Sequence, residues 1–310
     1  MNDYLALLIG VLCAGGGGEL FVRGTVGIAS ALRISPGIIA ATIAALATSS
    51  PEFTVSLTAA LEGMPQIALG DALGSNVVNI ALILAVAVLI VPITAPRDAI
   101  RRDFPTALVV PVIIGVLLLD GVLSRLDGFL LLALFAGWLI IVVHEAQRQR
   151  SSAPEVLGEQ KPLLAILAGG VGLALLVLAG RLIVSGATGI ATAHGLDAFL
   201  IGATIVSLGT SVPELATAVI SGMRGHEEVG LGTILGSNIF NGLLIVGTAS
   251  SIAPIAITVQ EVAPALVLGL AAVALTYPSA SGVIGRWRGV ILLGVYAAYL
   301  AAMVQWGAAA

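Results

Sequence analysis

The stretch IAATIAALATSSPE, residues 39–52, returns as IGATIVSLGTSVPE, residues 201–214, at an offset of 162 positions and without a gap. The match continues, since GDALGSNVVNIALIL at 70–84 aligns with GTILGSNIFNGLLIV at 232–246 at the same offset. Two motifs that recur at one spacing indicate an internal duplication. The rest of the chain is interpreted from this duplication.

The composition is typical of a membrane protein with many spans. The chain has 310 residues, of which 58% are hydrophobic and 10% are charged, and its mean hydropathy is +1.11. Soluble domains contain about 25% charged residues. We therefore predict an all-α polytopic membrane protein. Windows of about 20 apolar residues predict ten transmembrane helices, at 3–22, 37–60, 68–93, 104–119, 128–144, 162–183, 197–220, 229–251, 262–277 and 287–305.

The basic residues predict the orientation, because cytoplasmic loops are enriched in Lys and Arg. With the N-terminus outside, only Arg125 and Arg181 of the 13 basic residues lie on the outer side. We predict that both termini are outside. The opening MNDYLALL lacks a basic segment and a cleavage site, so we expect its apolar run to be a retained span and not a signal peptide.

The offset covers five predicted helices, and because this number is odd the two halves cross the membrane in opposite directions. We predict a first five-helix repeat at 1–144, a cytoplasmic linker at 145–161 and a second five-helix repeat at 162–310. Inverted repeats with proline-interrupted helices at matching positions are typical of secondary transporters with a site near the bilayer midplane. We predict a transporter and not an enzyme, with no cofactor, and the single cysteine excludes an internal disulfide.

Each repeat places a carboxylate within an apolar helix, at Glu52 and Glu214. A charge at this depth costs about 2.5–3.5 kcal/mol on insertion scales, so something must stabilise both. Hydroxyl residues precede each glutamate by three and four positions, which places hydroxyl and carboxylate oxygens on one helix face. These hydroxyl residues are Thr48, Ser49, Thr210 and Ser211.

The prolines of the two motifs add backbone oxygens. Pro51 and Pro213 have no N–H, so the carbonyls of Ala47 and Gly209 lose their helical partners, and such carbonyls persist where they line a cavity or bind a ligand. All of these donors are oxygens, which suit Ca²⁺ and Na⁺, whereas Zn²⁺ or Cu²⁺ would call for His or Cys, absent from both motifs.

The glutamates would repel each other strongly at an empty site. One divalent cation, several monovalent cations or protons would relieve this repulsion. Because the same oxygens cannot serve two ion types at once, the site favours exchange. A Ca²⁺/Na⁺ antiporter, a Ca²⁺/H⁺ antiporter, a cation channel and a non-transporting scaffold stay open at this point. We expect no nucleic-acid partner and no obligate protein partner.

Three further features have no assigned role. Glu19 and Arg181 occupy equivalent positions in the two repeats with opposite charges, which fits either gating or an interfacial position. Asp71, at the start of the third span, is a candidate for ion entry. The run from Gly15 to Gly18 indicates close packing or a flexible part of the first helix.

The pair ATSSPE…GSNVVN and GTSVPE…GSNIFN resembles the two alpha-repeats of the cation/Ca²⁺ exchanger superfamily, in particular its sodium/calcium exchanger branch of prokaryotic type. ELFVRG at 19–24 and the short linker are also similar. The resemblance implies ten helices with the N-terminus outside, in a prokaryotic plasma membrane. It further implies a core of spans 2, 3, 7 and 8, and a sliding pair of spans 1 and 6 that alternates access.

The resemblance also implies the ligands. Glu52 and Glu214 would be the shared Ca²⁺ and Na⁺ carboxylates, the Thr and Ser residues before them would provide hydroxyl or carbonyl oxygens, and spans 3 and 8 would complete the sites. The residues of spans 3 and 8 are Ser75, Asn79, Ser237 and Asn241. Some relatives carry Asp in place of Asn241, so potassium dependence is not expected. The proton/calcium branch carries a Gly-Asn-x-x-Glu motif and fits less well.

Overall fold

A computed structural model describes residues 3–63, 65–152, 162–193, 207–278 and 281–307. This part of the chain is almost entirely helical. The first repeat contributes α1 (Asp3–Leu32), α2 (Pro36–Thr48), α3 (Ser50–Leu61), α4 (Pro65–Ile90), α5 (Ala99–Asp120) and α6 (Arg125–Ser152). The second contributes α7 (Pro162–Ala193), α8 (Ser207–Thr210), α9 (Val212–Met223), α10 (Glu227–Ile252), α11 (Val259–Thr276) and α12 (Arg286–Gly307).

The predicted class, an all-α polytopic membrane protein, is confirmed. Among the described residues, eight helices are long and apolar enough to cross a membrane, or nine if α2 and α3, bent by 47° at their junction, form one span. The predicted seventh span corresponds to α8 and the short apolar helix α9, and its residues 197–206 lie outside the described residues. The count of ten and the orientation stay predictions.

Several boundaries differ from the predicted ones. Helix α1 continues ten residues beyond the predicted end at position 22, to Leu32, and Gly24, Thr25 and Ala29 of this extension are buried against the rest of the protein. Residues 145–152 of the predicted linker continue α6, and residues 153–161 lie outside the described part of the chain. The division into two repeats and a linker stays a prediction.

Four two-residue strands, too short to show a pattern in the sequence, join the two repeats. They are β1 (Ile93–Thr94), β2 (Val122–Leu123), β3 (Ile255–Ala256) and β4 (Val283–Ile284). Strand β1 pairs antiparallel with β4, and β2 pairs antiparallel with β3. Each pairing therefore crosses from one repeat to the other, as expected for two copies related by a two-fold axis.

Two arginines repeat this reciprocal pattern. Arg125, at the start of α6, donates to the carbonyl oxygen of Ile252 at 3.2 Å, and Arg286, at the start of α12, donates to that of Ile90 at 3.1 Å. Both carbonyls end a long helix, where the last carbonyls lack helical partners and the helix dipole favours a cation. Each repeat thus caps the central helix of the other.

Helices α4 and α10 lie at the centre of the molecule. In the most apolar part of α10, 94% of the residues are buried, and in α4 the share is 67%. The corresponding part of α12 is only 17% buried, so its large apolar side chains face outward as in lipid-facing helices. Because they are enclosed by protein, α4 and α10 can present polar side chains to an internal site.

Helices α1 and α7 form a closely packed pair with glycine at their contacts. A Cβ at Gly24 would lie 2.8 Å from the carbonyl oxygen of Ala165, and one at Gly17 would lie 2.9 Å from the Cβ of Leu175. Small residues permit such close approach of membrane helices. The run from Gly15 to Gly18 divides in two, because its last two members are packed and its first two have open space around the Cβ position.

Candidate cation-binding site

The polypeptide breaks its helical path at the same position in both repeats. Ser49 separates α2 from α3 with φ −83° and ψ 10°, and Ser211 separates α8 from α9 with φ −89° and ψ 10°. The prolines follow two residues later, in the first turn of the second half-helix, where a missing N–H costs no helical hydrogen bond. The sequence therefore produces two matching interrupted helices.

The two glutamates lie in the first turns of the half-helices that follow these breaks. Glu52 is in the first turn of α3 and Glu214 is in the first turn of α9. Their exposed fractions are only 2% and 1%. The N-terminus of a helix carries a partial positive charge that favours an anion, so the half-helices help to hold both carboxylates in the interior.

Three oxygens from both repeats meet at Glu214. The Ser49 hydroxyl lies 3.3 Å from Glu214 Oε1 and 2.9 Å from the Ser237 hydroxyl, which itself lies 3.3 Å from Glu214 Oε1. Two hydroxyl hydrogens cannot fill three oxygen–oxygen contacts, so lone pairs remain available. A cation at Ca²⁺–oxygen distances of about 2.3–2.6 Å can cap such a triangle.

Further predicted ligands carry buried oxygens that have no hydrogen-bond partner within the described residues. A buried polar atom without a partner costs free energy, and a bound cation would offset that cost. These atoms are Ser75 Oγ, Asn79 Oδ1, Ser211 Oγ, Glu214 Oε2 and Asn241 Oδ1. The described chain contains no group of three or more His, Cys, Asp and Glu suited to a metal. The donor atoms found at this site are hydroxyl, amide and carboxylate oxygens.

The remaining predicted ligands are placed as follows. The buried Thr48 hydroxyl donates to the carbonyl of Ala45 at 3.2 Å and lies near the carboxyl of Glu214. The carbonyl of Ala47, which loses the N–H of Pro51, accepts the Ser50 hydroxyl at 2.8 Å.

In the second repeat, the carbonyl oxygen of Gly209 faces α7, 2.7 Å from where a Cβ on Gly180 would lie. The side chain of Thr210 lies outside the described residues. The backbone oxygens predicted from the prolines are thus in different surroundings in the two repeats.

Comparison with known protein families shows where the chain belongs. A family model described as sodium/calcium exchanger protein matches residues 3–144 and 164–305. The chain belongs to the sodium/calcium exchanger family. The two matched ranges lie within the two predicted repeats, and the unmatched residues between them, 145–163, comprise the predicted linker and the first two residues of the second repeat.

Individual relatives and a solved structure are also similar to this chain over most of its length. The inner membrane protein YrbG of Escherichia coli is 39% identical over 230 residues, 71% of each chain. The sodium/calcium exchanger MaX1 of Methanosarcina acetivorans is 26% identical over 340 positions, covering 96% of this chain and 97% of its own. A structure of the sodium-calcium exchanger NCX_Mj soaked with Na⁺ and Sr²⁺ superimposes with a TM-score of 0.84 at 28% identity, covering 96% of this chain and 97% of that one. The prediction of an integral membrane transporter of prokaryotic type is confirmed.

Two asparagines of this family member were not predicted as part of the site. Asn76 and Asn238, the third residues of the GSN motifs, link α4 to α10 through their side-chain amides. The sequence signal was present, since GSN occurs in both repeats at the same offset. The glycine of the second motif also packs closely, because a Cβ at Gly236 would overlap the backbone of Ala41.

The three residues without an assigned role are now placed. Glu19 accepts hydrogen bonds from Arg23 at 2.6 Å and from Arg224 at 2.8 Å. Arg181 forms no ion pair with any described residue and is exposed. Asp71 is half-buried and lies beside the hydroxyl of Ser56 on α3.

Proposed function

We propose that this protein exchanges Ca²⁺ for Na⁺ across the plasma membrane by alternating access. The observation that carries the proposal is the contact of Glu214 with Ser49 and Ser237, which joins both repeats at a buried position. The proposed ligands are Thr48, Ser49, Glu52, Ser75, Asn79, Thr210, Ser211, Glu214, Ser237 and Asn241, with the carbonyls of Ala47 and Gly209.

The chemistry of the site supports exchange. Two carboxylates together carry two negative charges, which one Ca²⁺ or several Na⁺ ions neutralise. Ca²⁺ takes six to eight oxygens in flexible geometry, and hydroxyl and amide oxygens supply those that the carboxylates do not. Because both ions use the same oxygens, occupation by one excludes the other, and the inward Na⁺ gradient then drives Ca²⁺ export.

An ion pair on one side of the molecule supports alternating access. Glu19 lies on α1, one of the two glycine-packed helices, and Arg224 directly follows α9, which carries Glu214. Cavities of about 350 and 430 Å³ flank the pair. The predicted orientation places this contact at the cytoplasmic side, where it ties the proposed sliding helix to the site.

The equivalent pair in the inverted repeat carries reversed charges. At the offset of 162, Glu19 corresponds to Arg181 and Arg224 corresponds to Glu62. In the described chain Glu62 and Arg181 are exposed and form no ion pair with each other. We propose that one pair closes as the other opens, so that the cytoplasmic side is closed in this structure and the outer side opens to the site.

The test is uptake of ⁴⁵Ca²⁺ into proteoliposomes loaded with Na⁺, compared with Na⁺-free vesicles that carry a pH gradient. We expect uptake only with internal Na⁺. Glu52→Gln and Glu214→Gln each remove a charge that the cation needs, and we expect uptake to fall to the level of empty vesicles in both.

Glu261→Gln is the matched control, because Glu261 lies exposed in the capping box of α11 and Gln preserves that box. Full uptake by both site variants would overturn the site. Uptake driven by the pH gradient alone would move the protein to the proton-coupled class, and flux without any counter-ion would make it a channel.

A further inference from the structure

Four asparagines form a reciprocal pattern between α4 and α10. The side-chain amide of Asn76 donates to the backbone carbonyl of Asn238 at 3.2 Å, and that of Asn238 donates to the backbone carbonyl of Asn76 at 3.1 Å. The amide of Asn241 then donates to Asn76 Oδ1 at 3.0 Å, and that of Asn79 donates to Asn238 Oδ1 at 3.1 Å. Each repeat thus fixes the side-chain orientation of an asparagine in the other repeat.

The direction of these hydrogen bonds is fixed by the backbone. A backbone carbonyl only accepts, so the arm of Asn76 that faces Asn238 must be its NH₂ group, and its other arm must be Oδ1. Asn241 has to present its own NH₂ to that oxygen. The oxygen of Asn241 is therefore on the opposite arm, away from Asn76, and the same reasoning from Asn238 fixes Asn79.

The two oxygens fixed in this way are the ones left without partners. Asn79 Oδ1 and Asn241 Oδ1 have no hydrogen-bond partner in the described chain, and their residues are 2% and 1% exposed. Asn241 lies one helical turn after Ser237, whose hydroxyl contacts Glu214. An asparagine turned the other way would present two hydrogens, which repel a cation.

We propose that Asn76 and Asn238 are positioning residues. Each donates its amide to a backbone carbonyl of the opposite helix and so presents its Oδ1 to the next asparagine, which makes Asn241 and Asn79 both present oxygen to the cation. The inference rests on the proposed function, because it takes Asn79 and Asn241 as ligands. Groups that orient metal ligands typically contribute ten- to a hundredfold to metal affinity. Neither positioning residue needs to touch the ion.

The test compares pairs of double variants with purified protein and ⁴⁵Ca²⁺. Asn76→Leu removes the orientation of Asn241, and adding Asn241→Asp restores an oxygen there because a carboxylate has one on each arm. Adding Asn79→Asp to Asn76→Leu introduces the same charge at the other amide ligand, whose orientation in the wild type does not depend on the Asn76 side chain. We expect Asn76→Leu with Asn241→Asp to bind Ca²⁺ at least about tenfold more tightly than Asn76→Leu with Asn79→Asp.

The mirror experiment starts from Asn238→Leu, and there we expect the order to reverse, with Asn79→Asp the better rescue. Both members of each pair share the same leucine and the same added charge, and each aspartate variant without the leucine measures what its carboxylate does by itself. Equal rescue within both pairs would overturn the proposal. So would a wild-type Ca²⁺ affinity in Asn76→Leu and in Asn238→Leu.

The same samples separate this proposal from the proposed function. Wild-type protein that binds ⁴⁵Ca²⁺ but does not take it up in exchange for Na⁺ overturns the exchange function, and the affinity difference within each pair of double variants still decides the positioning role. Na⁺-driven uptake by the wild type without that difference overturns the positioning role alone. A wild type that binds no Ca²⁺ overturns both.

Discussion

Ser49 shows how a single residue connects the two repeats. It occupies the break between α2 and α3, and its hydroxyl reaches Glu214 and Ser237 in the opposite repeat. The spacing in the sequence predicted the Ser49 side chain on the same helix face as Glu52. Because the backbone of Ser49 is neither helical nor extended, its side chain can leave that face of α2. One residue therefore has a role in both the helix break and the oxygen cluster.

Replacing Ser49 by Ala is expected to weaken Ca²⁺ binding without unfolding the protein. A hydrogen bond to a charged group contributes about 1.5–3 kcal/mol, and 1.4 kcal/mol corresponds to about tenfold in affinity, so we expect the Ca²⁺ concentration for half-maximal uptake to rise at least about tenfold. Ser251→Ala is the matched control, since the Ser251 hydroxyl donates to the carbonyl of Thr248 in its own helix. An unchanged half-maximal concentration in Ser49→Ala would contradict the assignment.

At the scale of elements, the pairing of α1 with α7 depends on missing side chains. The Cβ positions of Gly24 and Gly172 are filled by the backbone of the facing helix, whereas those of Gly15 and Gly16 are open. Small residues let the backbones of membrane helices approach closely, and the side chains of Leu175 and Ile183 fill the space opposite Gly17 and Gly10. Two helices packed this closely can move as one unit, as the proposed sliding pair requires.

Gly24→Ala and Gly16→Ala make the same change at a packed and at an open position of α1. An added methyl at Gly24 collides with α7, and we expect a loss of about 1–3 kcal/mol in the free energy of unfolding. At Gly16 we expect no loss, and up to about 1 kcal/mol of gain, because Ala favours helix over Gly. Thermal unfolding of both variants in detergent measures the difference, and equal midpoints would contradict the packing argument.

At the scale of the whole molecule, several contacts between the repeats occur as two symmetry-related copies, but one ion pair in the described chain does not. The strand pairings and the two arginine caps obey the symmetry, and each lies at the ends of α4 and α10, where the repeats are joined. The contact of Glu19 with Arg224 has no formed counterpart among the described residues. The asymmetry is therefore found in the contact of α1 with the rest of the molecule, which fits a moving pair on a symmetric core.

Cysteine pairs can test whether the two ion pairs alternate. In a Cys13→Ser background, we expect Glu19→Cys with Arg224→Cys to crosslink and to stop ⁴⁵Ca²⁺ exchange, because the cytoplasmic side is held closed. Glu62→Cys with Arg181→Cys should also crosslink and stop exchange, by holding the opposite state. Exposed ion pairs contribute only about 0–1 kcal/mol, so breaking either pair leaves the protein folded.

Each cysteine alone is the control, since it removes the same charge without permitting a crosslink. Full exchange by a protein fully crosslinked between positions 62 and 181 would contradict the alternation. So would a complete absence of that crosslink in a variant that still transports.

The sequence alone determined the properties that depend on local composition and periodicity. Long apolar runs specify membrane helices because the bilayer leaves the backbone no other way to satisfy its hydrogen bonds. The duplication predicted two matching helix breaks, and each break lies two residues before its proline, at Ser49 and Ser211. The residue types of the motifs indicated hard oxygen ligands and led to the family, which the comparison confirmed.

Only the tertiary structure decided which residues of one repeat meet those of the other. Spacing within a helix describes one face of that helix, but the contacts of Ser49, Asn76 and Asn238 cross between helices far apart in the chain. The same holds for Glu19 and Arg224, 205 positions apart. Pairing at such separation depends on how the helices pack, and a sequence specifies that packing through all its contacts together, not through any one motif.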